Sequence, residues 1–420
     1  MANGNWSVSA TWKGGEVPGD GARVLIPAGI DIRYDLSSQT RIDTIRIDGA
    51  LRFASDRDTL LHVDTLFVPV RSGVLEIGTS TAPIPAQFTA RIVITGDRRD
   101  AQGNTILHPN DLKQFGRGVI SKGKASIHGA AKESYLELAG DALAGESTLT
   151  FASTPRGWQA GDIIVVAGTS VMLPQAIRRN PSVPYPAYYS DVLANDVFHD
   201  EELTINKIEG NTVSFTNNHI TSGNRNVLRF DHRRPAGLTR PAGVTADFAI
   251  HVGNLTRNVI IESENGRELS LVESDEFPMR RRNEIMKRGH AMFMHTTDAD
   301  IVNAAFWHLG RTDKHRDLDE VGVQLNGVTG TGTNQRGRYA VHFHRTGDMQ
   351  WLGTPAIIRG CAIWGSPGWG IRQRNRDLAT EPLNQDLWRY PWDYTGPRSP
   401  AQYLHLRHQF QSHYEFRLWI

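Results

Sequence analysis

The stretch that decides the fold is Gly289-His290-Ala291-Met292-Phe293-Met294-His295, because two similar segments follow it in the sequence. The two similar segments are Arg338-Tyr339-Ala340-Val341-His342-Phe343-His344 and Gly368-Trp369-Gly370-Ile371-Arg372-Gln373-Arg374. Two intervening segments, Asp300 to Gly310 and Ala356 to Gly365, also resemble each other, with Phe306 and Ile363 at matching positions. Repeats in which one short strand follows another through turns are typical of successive coils of a β-helix.

Residues 24–94 show a related pattern earlier in the chain. Short β-branched runs such as Ile42-Asp43-Thr44-Ile45-Arg46-Ile47 and Arg91-Ile92-Val93-Ile94 are bounded by turn-forming residues, and no stretch keeps a helical period. The runs recur roughly every 15–20 residues, near the repeat length of solenoids. The sequence therefore predicts an all-β fold, with a parallel β-helix favoured and a β-sandwich as the competing arrangement.

Composition excludes several classes of protein. The 420 residues carry 46 Lys and Arg against 45 Asp and Glu, a balance that argues against a dedicated nucleic-acid binder. The single cysteine, Cys361, rules out a disulfide framework within the chain. No apolar run approaches the roughly 20 residues that a membrane-spanning helix needs, and no signal peptide is visible at the start of the sequence.

Motifs at the start of the chain resemble the opening of the G8 (eight-glycine) domain family. They are Trp6, Thr11-Trp12-Lys13-Gly14-Gly15, Val17-Pro18-Gly19-Asp20-Gly21 and Val24-Leu25-Ile26-Pro27-Ala28-Gly29, and Ser126-Ile127-His128-Gly129 is similar to the closing strand of that domain. Further on, the segments Gly310 to Lys314, Gly337 to His344 and Arg359 to Ile363 are similar to the β-helix that follows the G8 domain in fibrocystin-like and hyaluronan-degrading or hyaluronan-binding proteins.

This resemblance, over about residues 6–371, implies a right-handed parallel β-helix with an N-terminal G8 β domain packed on it or continuous with it. It also implies an extracellular or cell-surface location, glycan substrates such as hyaluronan and, in some members, calcium dependence. The expected domains are a G8 domain at 1–130, a β-rich connecting region with a long Pro- and Tyr-rich loop at 131–247, β-helix coils at 248–371 and an atypical tail at 372–420.

The tail differs from the family and from the rest of the chain. Arg372-Gln373-Arg374 stands where the third histidine-type segment is expected to end in His or Asp, and Arg, Gln, Trp, Tyr, Pro and His dominate afterwards. We consider two interpretations, a frameshifted or truncated end and a native cap over the open end of the solenoid.

Four histidines form the sharpest candidate site. Because residues two apart in a strand share a face, His342 and His344 are expected to point the same way. If the segments stack as aligned, His295 lies over His344 at about 5–10 Å, with His290 nearby. Three interpretations remain open: a hydrogen-bonded histidine ladder, catalysis or glycan contact by His295, His342 and His344, and a metal site.

Charged residues near these histidines extend the candidate site. Asp313 is a candidate acid or base, whereas Arg311, Lys314, Arg338 and His290 are candidates to contact substrate, since arginine binds a uronate carboxylate bidentately. The alternative is a local Arg–Asp pair that holds the loop. Glycoside hydrolysis needs a second carboxylate about 5–10 Å away. The neighbouring acidic residues, Asp317, Asp319 and Glu320, are not distinguished by spacing, and a lyase with a His or Lys base remains open.

Other features have two interpretations each. The basic run Arg280-Arg281-Arg282 with Lys287-Arg288 is interpreted either as a contact surface for an anionic polysaccharide or as a solvated loop. Tryptophans at strand ends stack on sugar rings or belong to the core; they are Trp158, Trp307, Trp364 and Trp369. The sequence thus predicts a protein that binds or cleaves an anionic polysaccharide, with a non-catalytic adhesion or structural β-helix module as the alternative.

Overall fold

The computed structural model describes residues 1–95, 111, 115–169, 199–220, 222–234, 249–264, 285–296, 298–313, 318–320, 324–325, 328–330, 332, 334–345, 356–367 and 370–374. Within these residues the chain divides into two compact units, one formed by 1–130 with 257–374 and the other by 131–256. No helix in the described ranges is long and apolar enough to cross a membrane.

Almost all regular structure in the described residues is β. After a short 3-10 helix (Ser9–Thr11), which follows β1, the strands are β1 (Gly4–Asn5), β2 (Arg23–Ile26), β3 (Asp31–Tyr34), β4 (Ser37–Ile47), β5 (Ala50–Phe53), β6 (Thr59–Val68), β7 (Val74–Ile77), β8 (Ala90–Ile94), β9 (Gly118–Ser121), β10 (Lys124–His128), β11 (Tyr135–Glu137), β12 (Thr148–Thr150), β13 (Ile163–Val166), β14 (Glu201–Glu209), β15 (Thr212–Asn217), β16 (His251–Asn254), β17 (Val259–Ser263), β18 (His290–Met294), β19 (Ala299–Val302), β20 (Ala304–Trp307), β21 (Gln324–Leu325), β22 (Val328–Thr329), β23 (Val341–His344), β24 (Ile357–Arg359), β25 (Ala362–Trp364) and β26 (Ile371–Arg374).

The first unit is a parallel β-helix with three sheets. Sheet A has the order β1-β3-β5-β7-β10-β19-β24. The other two begin as one stack, in which β2 pairs with β4 and β4 pairs with the long strand β6. They separate at β6, because residues 59–63 pair with β8 and residues 65–68 pair with β9. Sheet B continues as β8-β17-β20-β25, and sheet C as β9-β18-β23-β26. The chain visits A, B and C in turn, with parallel connections that take the right-handed sense.

The core of this unit lies between the three sheets. Side chains alternate along each strand, so every second residue points inward. Phe293 and Phe343 stack across neighbouring coils with ring centroids 5.5 Å apart, and Phe306 is fully buried beside them. Trp6 and Trp12 belong to the same core and meet edge to face at 4.7 Å. Burying this continuous apolar interior is what stabilises a stack of short strands.

Sharp corners join the sheets. Asn303 is the single residue between β19 and β20, and its φ of 52° turns the chain there. Asparagine tolerates the left-handed region better than most residues, because its short amide forms local hydrogen bonds. The corner is tied to the next coil, since the Asn303 amide donates to the carbonyl of Arg359 at 2.9 Å.

The second unit is a six-stranded antiparallel sheet with its own core. Its order is β11-β16-β13-β14-β15-β12. Phe151, Phe215 and Trp158 are buried in this core, and Phe151 meets Trp158 edge to face at 5.3 Å. Residues 171–198 of the expected Pro- and Tyr-rich loop lie outside the described residues.

These pairings confirm the β-helix and show that the competing sandwich is wrong for the first unit. The expected G8 region is continuous with the later coils, because β10 pairs with β7 on one side and β19 on the other. The expected range 248–371 starts too early, since β16 pairs with β11 and β13 in the second unit. It also ends too early, because β26 extends to Arg374 in register with β23. Residues 375–420 of the tail lie outside the described residues.

Candidate functional site

The outward side of sheet C brings the predicted histidines together. Inward positions of β18 and β23 are filled by core residues such as Phe293 and Phe343, so Met292, Met294, His342 and His344 face outward. Met292 pairs with His342, and Met294 pairs with His344. At both of these register positions, therefore, a methionine side chain in one coil is followed by a histidine side chain in the next.

Three imidazoles lie next to one another on this side. The ring centroids of His342 and His344 are 5.1 Å apart, and those of His344 and His295 are 6.1 Å apart. His342 is 3% exposed, whereas His295 and His344 are partly exposed. The Nδ1 atom of His342 lies 2.9 Å from the Gly337 carbonyl and must donate to it, so the lone pair of the neutral ring is on Nε2. In this tautomer the neutral ring accepts a proton at Nε2.

One predicted alignment is wrong by one residue. The sequence places His295 over His344, but Met294 holds that register position. The cause is the core, because only the observed register sets Phe293 over Phe343 with both rings inside. His295 follows β18 with a φ of 53°, and this turn still leaves its ring near His344. The third segment aligns as predicted, with Val341 paired to Ile371, and so does the pair Phe306 and Ile363.

His290 and Arg311 form a buried cluster beneath this row. His290 is 0% exposed and Arg311 is 4% exposed. The Arg311 guanidinium donates to the carbonyls of Gly116, Arg117 and Arg288 at 2.8–3.2 Å and lies 3.2 Å from Nδ1 of His290. Burial, then the charges of Arg117 and Arg338, lower the pKa of Arg311. Through these contacts Arg311 joins its own segment to the segments around Gly116 and Arg288.

Two carboxylates near Arg311 were not expected from the sequence. Asp64 accepts a hydrogen bond from the Thr65 hydroxyl at 2.7 Å, and burial raises its pKa. Asp111 accepts from the backbone amides of Phe115 and Gly116 at 2.6 and 2.7 Å. The sequence around Asp64 does carry a signal of its special position. Asp64 and Thr65 are two consecutive polar residues that interrupt the alternation of inward apolar residues in β6, at the bend between sheets B and C. For Asp111 we find no such signal, since it lies in a loop.

Asp313 is held through its backbone. Its amide donates to Oδ1 of Asn334, and its carbonyl accepts from Nδ2 of the same side chain, both at 2.9 Å. The neighbouring Thr312 hydroxyl donates to the Gln335 carbonyl at 2.6 Å and accepts from the Arg338 amide at 2.8 Å. Asp313 is 4% exposed, so the position of its carboxylate is fixed by the segment around it.

Arg338 lies beside the same segment. Its guanidinium carbon is 5.2 Å from the centroid of the Phe115 ring, a cation–π arrangement, and its Nη1 donates to the Arg336 carbonyl at 3.0 Å. Burial lowers the pKa of Arg338, while Asp111 and Glu320 oppose that effect. Arg338, Arg311 and Arg117 thus place three guanidinium groups near the two carboxylates Asp64 and Asp111.

Several predicted residues lie elsewhere or outside the described ranges. Lys314, Asp317, Arg280-Arg281-Arg282 and Trp369 fall outside them. Trp158 is a core residue of the second unit. In the described part of the chain, no group of three or more His, Cys, Asp or Glu side chains is arranged to hold a metal ion. Metal binding by the histidines and a requirement for calcium stay predictions.

The buried His290 predicts a pH-dependent stability. Burial first, and then Arg311 and Arg338, lower its pKa well below the ordinary 6.5. Below pH 6.5 the unfolded chain therefore takes up a proton that the folded chain does not, and the free energy of unfolding should fall by about 1.4 kcal/mol per pH unit. Hydrogen exchange in β18 between about pH 7.5 and 5.5 measures this.

The matched variant is His290→Gln, which replaces the imidazole N–H donor with an amide N–H donor and does not titrate. Its stability should depend less steeply on pH over the same range, whereas the exposed control His219→Gln should follow the unmodified protein. Equal pH slopes for the unmodified protein and His290→Gln would show that His290 is not the titrating group.

Comparison with known proteins identifies the first part of the chain. The model of the G8 domain matches residues 11–139, a range that includes β2 to β11. Fibrocystin-L of Homo sapiens is 24% identical over 380 residues, and fibrocystin-L of Mus musculus is 25% identical over 380 residues. Each alignment covers 85% of this chain and 7% of the relative, so the chain spans a small part of the length of the relatives it matches.

Three solved tailspikes are also similar to this chain. The tailspike of Pseudomonas phage phi297 has a TM-score of 0.18 and 11% identity over 63% of this chain and 28% of its own. The tailspike of Acinetobacter baumannii bacteriophage AP22, solved with capsular saccharide, has a TM-score of 0.18 and 9% identity over 79% and 35%. The tailspike of Pseudomonas phage LKA1 has a TM-score of 0.19 and 12% identity over 77% and 31%. The fold assignment rests on the strand pairings of this chain.

Proposed function

This chain contains a G8 domain, and we propose that it is an extracellular or cell-surface protein that binds an anionic, hyaluronan-like polysaccharide along sheet C. The observation that carries the proposal is the row of adjacent imidazoles formed by His342, His344 and His295. Because His295 and His344 belong to neighbouring coils and are both partly exposed, they offer contacts to a polymer that runs across the coils.

Charge supports an anionic ligand. Arg117 and Arg338 lie close enough to Arg311 to lower its pKa, whereas the carboxylates Asp64 and Asp111 oppose this effect, and Asp111 and Glu320 act in the same way on Arg338. Such a cluster gains stability from an incoming carboxylate, and arginine recognises that group bidentately.

Chemistry on the bound polymer is the second part of the proposal. His342 has its acceptor lone pair on Nε2 and lies beside His344, which in turn lies beside His295. Asp313 is a second candidate acid or base. Arg338 and Lys314 are our candidates for substrate contacts. The buried His290 and Arg311 act through position, because Arg311 ties together the carbonyls of Gly116, Arg117 and Arg288.

The alternative function is a non-catalytic adhesion or structural β-helix. The same Arg311 contacts favour it, because a guanidinium that donates to three carbonyls acts as a structural brace. In that case the histidine row stabilises the stack of coils through ring contacts and hydrogen bonds alone.

We expect the protein to bind size-defined hyaluronan, and His344→Ala to weaken binding by roughly tenfold, a typical loss for a central contact residue. His344 is partly exposed, so the variant should fold. Binding should also weaken as salt is raised, because screening reduces attraction between charged groups. Titration of labelled hyaluronan with and without calcium measures both effects, with His219→Ala of the second unit as the control.

The same mixtures report on cleavage through the length of the polymer. Shortening that is lost in Asp313→Ala and His344→Ala supports the catalytic part, whereas shortening that survives both changes refutes this site. Binding without shortening favours the non-catalytic alternative. Absence of hyaluronan binding by the folded protein would contradict the proposed function itself.

A further inference from the structure

Trp307 and Trp364 lie outside the core, on the outward side of sheet B. The core positions of β20 and β25 are held by their neighbours Phe306 and Ile363. Trp307 and Trp364 are directly paired in register, one coil apart, so their attachment points are separated by one strand spacing of about 4.8 Å. Both indoles are partly exposed. Of the two interpretations of the strand-end tryptophans, membership of the core is therefore wrong for these two.

Small residues beside the tryptophans leave room for the rings to lie against the sheet. The adjacent outward positions form a short apolar strip of Ile260, Ala305 and Ala362, and Trp307 packs against this strip. Ala305 is fully buried and Ala362 is 5% exposed, although both are on the outward side. Trp307 therefore lies over small side chains on the outward side of the sheet.

Trp364 is also fixed from the side. Its ring centroid is 4.8 Å from that of His308, a buried residue with a φ of 53°. Gly365 makes this approach feasible, because a Cβ at that position would lie 2.4 Å from Nδ1 of His308. The platform is therefore pre-ordered, which reduces the entropy lost when a ligand binds.

Polar groups of both charges border this aromatic surface. Glu262 occupies the register position next to Trp307 in the preceding coil and pairs with Arg91. Beyond it, Arg41 donates to both oxygens of Glu264 at 2.6 Å. The charges are balanced, unlike those around Arg311. An aromatic surface beside paired hydrogen-bonding groups suits a ligand with apolar ring faces and neutral hydroxyls.

We propose that Trp307 and Trp364 form a stacking platform for neutral pyranose rings, with Glu262 and Arg91 as hydrogen-bonding partners of the sugar hydroxyls. This site is on sheet B and does not depend on the sheet C function proposed above. Each pyranose has a face of C–H groups that packs on an indole, and hydroxyls at its rim that need polar partners.

The test uses the full chain and neutral oligosaccharides, namely cellopentaose, chitopentaose and maltopentaose. At least one should bind, change tryptophan fluorescence and show magnetisation transfer from protein to its ring protons. Trp307→Ala or Trp364→Ala should weaken that binding by roughly tenfold, and Trp307→Phe should retain part of it. Unfolding temperatures of the variants show that each is folded.

His344→Ala separates the two sites. Neutral-sugar binding that persists in His344→Ala and in high salt supports the sheet B platform, since its ligand is uncharged. The proposal is overturned if none of the three oligosaccharides binds the folded protein. It is equally overturned if binding survives both tryptophan-to-alanine changes, or disappears in His344→Ala.

Discussion

Replacing Gly49 with alanine should lower the free energy of unfolding of the first unit by about 3 kcal/mol or more. A Cβ at this position would lie 2.2 Å from the carbonyl oxygen of Ile30 and 2.4 Å from that of Pro27. Both neighbours are backbone atoms of the preceding coil, so a rotamer change does not relieve the overlap. The coils must move apart locally, and the hydrogen bonds from the Gly49 and Ala50 amides to Ile26 and Ile30 are strained.

Gly19→Ala is the matched control, because nothing lies within 4 Å of a Cβ at Gly19. Denaturant unfolding of both variants, followed by hydrogen exchange in β3 and β5, measures the difference. Gly19→Ala should stay within about 0.5 kcal/mol of the unmodified protein. A Gly49→Ala protein of unchanged stability would mean that the coils are not packed backbone to backbone at this corner.

The three-sheet arrangement could be predicted only in part, and the reason lies in β6. Leu61 and Val63 point inward, as do Leu66 and Val68, so the alternation shifts by one residue at the Asp64–Thr65 bend. From the sequence alone, the segment with this shift is interpreted as a single strand with an irregular alternation. In the fold it is the place where sheets B and C separate. Repeats reveal that coils exist, but such local shifts decide how many faces each coil has.

The candidate site shows a similar division. Strand alternation is enough to predict that His342 and His344 share a side, and the phenylalanine core then fixes the register that a gap-free alignment misplaces by one residue. Arg311 illustrates what alignment does not reveal. Its partners, the carbonyls of Gly116, Arg117 and Arg288, lie 195, 194 and 23 residues away from it in sequence, so the contacts depend on tertiary structure.

In the second unit, a fully buried carboxylate joins three chain segments. Glu201 accepts hydrogen bonds from the backbone amides of Arg229 and Phe230 at 2.8 and 3.0 Å and from the Asn217 side chain. Its Oε1 is 3.0 Å from Nε2 of His232, whose Nδ1 donates to the Ala167 carbonyl at 3.0 Å. Burial alone would raise the pKa of Glu201, but the hydrogen bonds from His232, the two amides and Asn217 hold it below 4.5.

Glu201→Gln should therefore destabilise the second unit by about 3 kcal/mol. The substitution replaces one carboxylate oxygen, which accepts hydrogen bonds, with an NH2 group, which cannot accept them, so buried donors lose their partner. A carboxylate with a lowered pKa contributes stability above pH 4.5 that is lost as the pH falls, so the variant should also lose this part of the acid dependence. Hydrogen exchange in β14 and β15 measures both effects.

Glu209→Gln, at the other end of the same strand, is the control. Glu209 is exposed and pairs only with the exposed Lys207 among its described contacts, so its loss should change stability by no more than about 0.5 kcal/mol. The two ends of β14 thus test burial with the chemical change held constant. Equal effects of the two substitutions would mean that the Glu201 hydrogen bonds do not stabilise the unit. A large loss at Glu201 alone would show that the unit depends on this buried charge, which joins β14, β15 and the segment around His232.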